Sequence, residues 1–336
     1  MIDTVHLTAD LALSDKAFHQ MMWFLCNTPD GETYVQHRRE GIRINYYPDR
    51  KRLNISGKLI RLLHDSDVLN VDDLYGSNLE LFLNRIDQYL NALFTRPVIS
   101  IRDFRVRRID YCFNIKTPHV KQYLDFLNIA FDRCNNGRRV NHVREHRLNG
   151  SVYVKTLSDY ENNTLRNYAL NYYDKISRLR ALMEDGKPVS ADDLKAAEGM
   201  LRLEVQCGYQ FIKRLCKVQR VKPSFGNMFS YEIACTAEKM VYAYVFRADE
   251  TQDFCTYTEA TKRVPPGSAA AKKALLRASQ NHLITDPGFA YGRSVIAKAG
   301  VYPFCFLPKD SKTPFLDNPL KLIAAKLRSF GTAQAI

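Results

Sequence analysis

Nowhere in its 336 residues does the chain carry a run of about 18 apolar residues, the length a membrane-spanning helix needs, so no such helix is expected. The N-terminus, Met1-Ile2-Asp3-Thr4-Val5-His6, has no basic stretch followed by an apolar core, so no secretory signal is expected there. None of the eight cysteines (Cys26, Cys112, Cys134, Cys207, Cys216, Cys235, Cys255 and Cys305) forms a CxxC pair, so zinc-ribbon spacing is absent. No cysteine stands with a paired histidine as a catalytic thiol would. Buried free thiols in a reducing cytoplasm account for them. Acidic residues are in deficit, with 36 Asp and Glu against 49 Lys and Arg, a formal net charge of +13. An excess of that size points to a polyanionic partner. Nucleic acid fits better than a membrane surface, because no basic amphipathic helix stands out.

What is present is a set of alternating segments. In Tyr168-Ala169-Leu170-Asn171-Tyr172-Tyr173-Asp174-Lys175, period 2 puts Tyr168, Leu170 and Tyr172 on an apolar face and Asn171, Tyr173 and Lys175 on a polar one. In 108–115, Ile109, Tyr111, Phe113 and Ile115 oppose Arg108, Asp110 and Asn114. In 201–207, Leu201, Leu203, Val205 and Cys207 oppose Arg202, Glu204 and Gln206. If these strands share a sheet, their polar faces gather two carboxylates, a phenol and several cations. The bland alternative is three amphipathic strands with solvated outer faces.

In chain order, a first strand at 2–9 leads to a helix from Ser14 to about Asn27. Strands follow at 34–38, 42–47 and 52–56, with turns at Glu40-Gly41 and Pro48-Asp49. Ser77-Asn78-Leu79-Glu80 reads as a capping box opening a helix to about Phe94. A strand or hairpin spans 98–115, then a helix opens at Thr117-Pro118. Strands at 151–156 and 167–174, helices near 176–184 and 190, and a strand at 200–207 complete this part. The fold class is α+β: mostly antiparallel sheet with packed helices, with a duplicated sheet-plus-helix unit as one option. The domain reading is a sheet-based domain over 1–215, with halves 1–96 and 97–215, and a helical domain over 216–336. Strand content is expected to fall away in the latter. Its helices at 268–282 and 290–299 form either a helix-turn-helix-like DNA-binding unit or a bracing bundle.

The succession Arg108-Ile109-Asp110, Leu170-Asn171-Tyr172-Tyr173-Asp174-Lys175 and Leu201-Arg202-Leu203-Glu204-Val205 resembles the rolling-circle replication initiators of the filamentous-phage gene II and plasmid Rep-trans type. There, a strand Asp is followed by Tyr-x-Lys and a strand Glu; here the intervals are 63 and 31 residues. The resemblance extends to Leu53-Asn54-Ile55-Ser56-Gly57-Lys58 and more faintly to 293–301, and is best over 35–210. It implies a site-specific DNA-nicking and -joining enzyme in the cytoplasm of a bacterial host. Such an enzyme forms a 5′-phosphotyrosine link and frees a 3′-OH, with host helicase and polymerase as partners. Carried over, Tyr173 is the nucleophile, and Asp110 and Glu204 hold a divalent metal, Mg²⁺ or Mn²⁺.

A phenol with a pKa near 10 is a poor nucleophile at neutral pH, and Lys175 on the same face would favour the phenolate. Arg108 and Arg202 would clamp phosphates, with Asn171 beside them on the DNA-binding face. The His-hydrophobic-His metal pair of other rolling-circle nucleases is absent, leaving His142 or Glu145 as a third ligand. His142-Val143-Arg144-Glu145-His146 also matches the H-x-x-E-H pattern of inverted zinc peptidases, which needs a long helix. Its basic setting, with Arg138 and Arg139, instead suggests a loop on the DNA backbone. Two alternatives stay open: a conjugative relaxase with the same chemistry, and a non-catalytic sequence-specific DNA-binding protein.

Overall fold

The computed structural model describes residues 1–13, 24–39, 41–64, 68, 70–76, 78–94, 99–135, 142–145, 150–279, 287–307 and 314–332. The alternating segments pair into a ten-stranded sheet built from β1 (Ile2–Asp10), β2 (Phe24–Asn27), β3 (Thr33–Arg39), β4 (Ile42–Tyr47), β5 (Arg52–Gly57), β6 (Arg105–Lys116), β7 (His142–Glu145), β8 (Val152–Thr156), β9 (Tyr168–Asp174) and β10 (Met200–Gly208). Their order is β2-β3-β4-β5-β1-β6-β10-β9-β8-β7, and every neighbouring pair is antiparallel. Period 2 then sorts the faces. Ile44, Leu53, Ile55, Ile109, Leu170, Tyr172, Leu203 and Val205 all enter one buried cluster. The helices Leu79–Leu93, Val120–Asn135, Tyr209–Gln219 and Tyr231–Phe246 lay their apolar stripes into that same cluster. The opposite face keeps its polar side chains.

The sheet is a duplication. Strands β2 to β5 lie in sequence order ending beside β1, and β7 to β10 lie in the same order ending beside β6. The halves meet at the β1–β6 pair. In one half Asn45 faces Asn54 and Tyr47 faces Arg52; in the other Asn171 faces Glu204 and Tyr173 faces Arg202. Ile44-Asn45-Tyr46-Tyr47 thus repeats as Leu170-Asn171-Tyr172-Tyr173. The four-residue turn 48–51 of the first half is replaced in the second by the helices Lys175–Glu184 and Ala191–Ala197. These two cover part of the polar face, Leu179 and Ala197 packing with Met200 of β10.

Several expectations are corrected. Phe24–Asn27 is an edge strand paired with β3, not the end of a helix, and residues 14–23 lie outside the described residues. Ser77 also lies outside them; Asn78 caps the helix Leu79–Leu93 by accepting from the Leu81 backbone. The boundary at 216 marks no break. Phe225, Val241, Phe246, Leu320 and Ile323 belong to the same core as the sheet. What does separate is a smaller cluster of Cys255, Ala260, Ala271, Leu275, Ile296 and Val301. Strands persist there, in a three-stranded sheet of β11 (Asp253–Thr256), β12 (Val301–Leu307) and β13 (Phe315–Leu316), ordered β12-β11-β13. The helices Ala269–Ser279 and Pro287–Lys298 pack so closely that a Cβ at Gly292 would stand 2.4 Å from Cβ of Ala274. The connection expected to make them a helix-turn-helix unit, 280–286, lies outside the described residues.

Candidate active site on the polar face of the sheet

Tyr173, Arg202 and Glu204 stand on one face because residues opposite each other in register point the same way. Tyr173 faces Arg202, Asn171 faces Glu204, and across β6 Asp110 faces Gln206 and Asn114 faces Arg202. The phenol and the two carboxylates expected to share a patch are therefore on the same side of the sheet. Of these, Tyr173 and Glu204 border a cleft of about 480 Å³ whose lining also includes Asp3, Lys58, Asn171, Lys175, Arg178 and Lys187. Its floor is strand and its wall the helix Lys175–Glu184, which Asp174 caps by accepting from the Ile176 backbone. Gly57 closes the far side. At its φ of +125° a Cβ would lie 2.1 Å from the Gly41 carbonyl oxygen, so only glycine permits this approach.

Arg202 organises the floor. It is 1% exposed, and its Nη2 donates to Asp3 at 2.6 Å. Its Nη1 donates to the side-chain oxygens of Asn70 at 3.0 Å and Asn114 at 3.1 Å. Its Nε lies 3.6 Å from Glu204. Glu204 also accepts from Gln206 at 2.8 Å. Asp3, which the alternation did not single out, is the carboxylate that Arg202 and Lys58 share. Burial pushes Asp3 up, but Arg202, Lys58 and Lys175 together outweigh it and hold the carboxyl well below the usual range. Lys175 lines the cleft, and its charge acts on Asp3.

Asp110 faces the same side but is committed elsewhere. Both its oxygens accept from Arg108, at 2.8 and 2.6 Å, and it is 1% exposed. Burial pushes its carboxyl up to about 7, against the pull of Arg108 and with the help of Glu204 and Asp3. Arg108 is thus the partner of Asp110 rather than an open phosphate clamp. The Tyr173 phenol is held well above its ordinary 10 by burial, with Arg202 the main opposing influence. Asn171 is buried, and its Oδ1 has no hydrogen-bond partner among the described residues.

Three hard carboxylates on one face are the donor chemistry that Mg²⁺ or Mn²⁺ prefers. Their arrangement does not fit such an ion. The oxygens of Asp110 are taken by Arg108, Arg202 reaches both Asp3 and Glu204, and among the described residues no group of three or more His, Cys, Asp or Glu stands together to hold a metal. The additional ligands considered do not complete one. His142 points to the apolar side, its ring bonded to the Tyr168 hydroxyl at 2.8 Å. Glu145 pairs with Lys155 at 2.9 Å, three strands from Glu204. His142–Glu145 is strand, not the helix an inverted zinc peptidase requires. Arg138 and Arg139 lie outside the described residues.

No protein-family model matches the chain, and no curated protein matches it. Among solved structures it is similar to a rolling circle replication initiator protein from Geobacillus stearothermophilus, at 10% identity and a TM-score of 0.32, over 65% of this chain and 77% of that one.

Proposed function

We propose that this chain is a replication initiator that nicks one DNA strand through Tyr173 and rejoins ends by the reverse reaction. The observation that carries the reading is the shared cleft: a strand phenol, Tyr173, beside the buried Arg202, with Lys58, Lys175, Arg178 and Lys187 around it. A phosphodiester entering this cleft meets cations on several sides, where they offset the charge that gathers on phosphorus oxygens during transfer. The Tyr173 oxygen forms a bond to phosphorus, and the bond from phosphorus to the 3′ oxygen breaks. The phenolic proton is lost to water before the attack, so the phenolate is the attacking species, and the leaving 3′ oxygen takes a proton from water to become a 3′-OH. The covalent link conserves the bond energy, so the 3′-OH can attack it and restore the strand. Asn171, with its unpartnered oxygen, offers an acceptor to a base or sugar donor. No step here passes through a metal.

A second reading, a non-catalytic DNA binder, is favoured by the burial that holds the Tyr173 phenol well above its ordinary value. One assay separates the two. The protein is incubated with labelled single-stranded DNA under denaturing readout, and the labelled peptide is mapped. Label on the peptide containing Tyr173, lost in Tyr173→Phe while DNA binding persists, is the expected result. Binding with no covalent adduct under any metal condition leaves the binder. A conjugative relaxase uses the same chemistry and gives the same adduct.

A further inference from the structure

The half of the sheet that carries no candidate nucleophile repeats the lattice of the cleft with altered chemistry. Tyr47 faces Arg52 as Tyr173 faces Arg202, and Asn45 holds the position of Asn171. Asn54 stands where Glu204 stands. His6, opposite Ser56, stands where Asp110 stands opposite Gln206. The phenol, the amide and the guanidinium persist, while both acids have become uncharged or basic. The lattice lies on the same side of the sheet as the cleft, because His6 is in register with both Ser56 and Arg108.

What surrounds Tyr47 differs from what surrounds Tyr173. The Tyr34 ring stacks on it at 5.1 Å and 23°, and both rings are only partly buried. Gln36 donates to Asn45 at 2.7 Å, fixing the row beside the rings. Phe24, 71% exposed, is in register with Gln36 and so faces the same way. Arg38 and Arg43 stand directly opposite each other on neighbouring strands, both exposed. Like charges in that position repel across the ladder, and an anion lying between them removes the penalty. Among the described residues, the nearby acids do not compensate them. Glu32 is held by Arg50 at 2.6 Å, and Asp10 is 4.0 Å from Arg52.

We propose that this half of the sheet is a second, non-catalytic site that grips a single nucleic-acid strand, with phosphates on Arg38 and Arg43 and a base on the Tyr34–Tyr47 pair. Aromatic faces beside guanidinium groups are the chemistry single strands need: bases stack without regard to sequence, and cations track the backbone. The face continues through His6 and Arg108 to the cleft, so one strand can span both. The site extends the nucleic-acid reading of the cleft, but nothing is cleaved in it.

The test uses the full chain and fluorescence polarisation with a labelled oligo-dT strand and with a duplex of equal length. Two double variants are compared, Tyr34→Leu/Tyr47→Leu and Arg38→Gln/Arg43→Gln. The first is expected to weaken oligo-dT binding about tenfold, the loss of one stacked base, with less effect on duplex. The second is expected to flatten the salt dependence of log K by about 1.4, two phosphate contacts on a single strand. Tyr34→Phe/Tyr47→Phe keeps the rings and is expected to bind like wild type, which separates stacking from a folding defect. Wild-type affinity and salt slope in both test variants overturn the proposal, as does an equal loss for duplex and single strand in the leucine variant. If wild type forms no phosphotyrosine adduct while these variants still lose oligo-dT, the nicking assignment fails and this site stands. If the adduct forms and the variants bind normally, this site alone falls.

Discussion

Arg202 donates to Asp3 at 2.6 Å, tying the last central strand to residues at the start of the chain. The guanidinium is the cation shared by Asp3 and Glu204 and the donor to Asn70 and Asn114. Removing it leaves two carboxylates and two amide oxygens facing each other without it. Arg202→Met is expected to lose about 3–5 kcal/mol in chemical denaturation, the cost of breaking a buried pair from one side. Adding Asp3→Asn to that variant should recover part of the loss. A single-variant loss below about 1 kcal/mol, the level of an exposed pair, would remove Arg202 from the organising role.

Tyr172 and Tyr173 are neighbours on opposite faces, and they predict opposite phenotypes. The Tyr172 hydroxyl donates to Glu238 at 3.1 Å inside the core, whereas Tyr173 lines the cleft. Tyr172→Phe is expected to cost about 1 kcal/mol of stability and to form the DNA adduct at the wild-type rate. For Tyr173, burial keeps the phenol protonated at neutral pH. Single-turnover adduct formation should therefore accelerate with pH between about 7 and 9, by about tenfold per unit while the phenolate fraction limits it. An adduct that survives in Tyr173→Phe and vanishes in Tyr172→Phe would show that the strand's faces are assigned the wrong way round.

The faces were legible in the sequence because period 2 is local. The residues from 168 to 175 and from 201 to 207 declare their polar sides without any knowledge of their neighbours. The duplication was legible as a loose pattern of elements, while the repeated residues were hidden. Asn45-Tyr46-Tyr47 and Arg52-Leu53-Asn54 are separated by a turn, but Asn171-Tyr172-Tyr173 and Arg202-Leu203-Glu204 are separated by two helices, so no fixed spacing relates them. Asp3 was invisible for another reason. Its place beside Arg202 comes from the register irregularity of β1 against β6, between Ile2 and Val5, which alternation cannot anticipate. Helix-rich composition beyond 216 suggests a separate unit, whereas Phe225, Val241 and Phe246 from that region pack into the core on the apolar face of the sheet, the layer such a face requires.

Glu238 predicts how stability depends on pH. It is fully buried on the helix Tyr231–Phe246; one oxygen accepts from Tyr172, and Oε1 has no hydrogen-bond partner among the described residues. Burial raises its carboxyl from 4.5 to about 8. Between those values the native state keeps a proton that the unfolded chain has released, so stability is highest below the lower value and falls as pH rises toward the upper one. Glu238→Gln mimics the protonated form. It should reduce that slope, leaving the variant more stable than wild type by about a few kcal/mol near pH 8. Asp110, raised to about 7, contributes a slope of the same sign, so some dependence remains. Parallel pH profiles for wild type and Glu238→Gln would mean that this carboxyl titrates normally.

The cleft's positive charge comes from side chains, which sets what a chelator and a carboxylate substitution should do. Lys58, Lys175, Arg178 and Lys187 line it, and Arg202 lies on its floor. Binding of a single-stranded oligonucleotide is therefore expected to persist in EDTA and to weaken steeply with salt. Asp3 restrains Arg202 and Lys58, at 2.6 and 3.6 Å. Asp3→Asn releases that restraint and adds one unit of net positive charge. It is expected to tighten oligonucleotide binding at low salt and steepen the salt slope by roughly one phosphate contact, while costing about 1–3 kcal/mol of stability through the loss of a charged hydrogen bond. Binding abolished by the chelator would place a metal, not these side chains, between protein and phosphate. Weaker binding in Asp3→Asn would mean that the carboxylate serves the DNA site by aligning Arg202 rather than by competing for it.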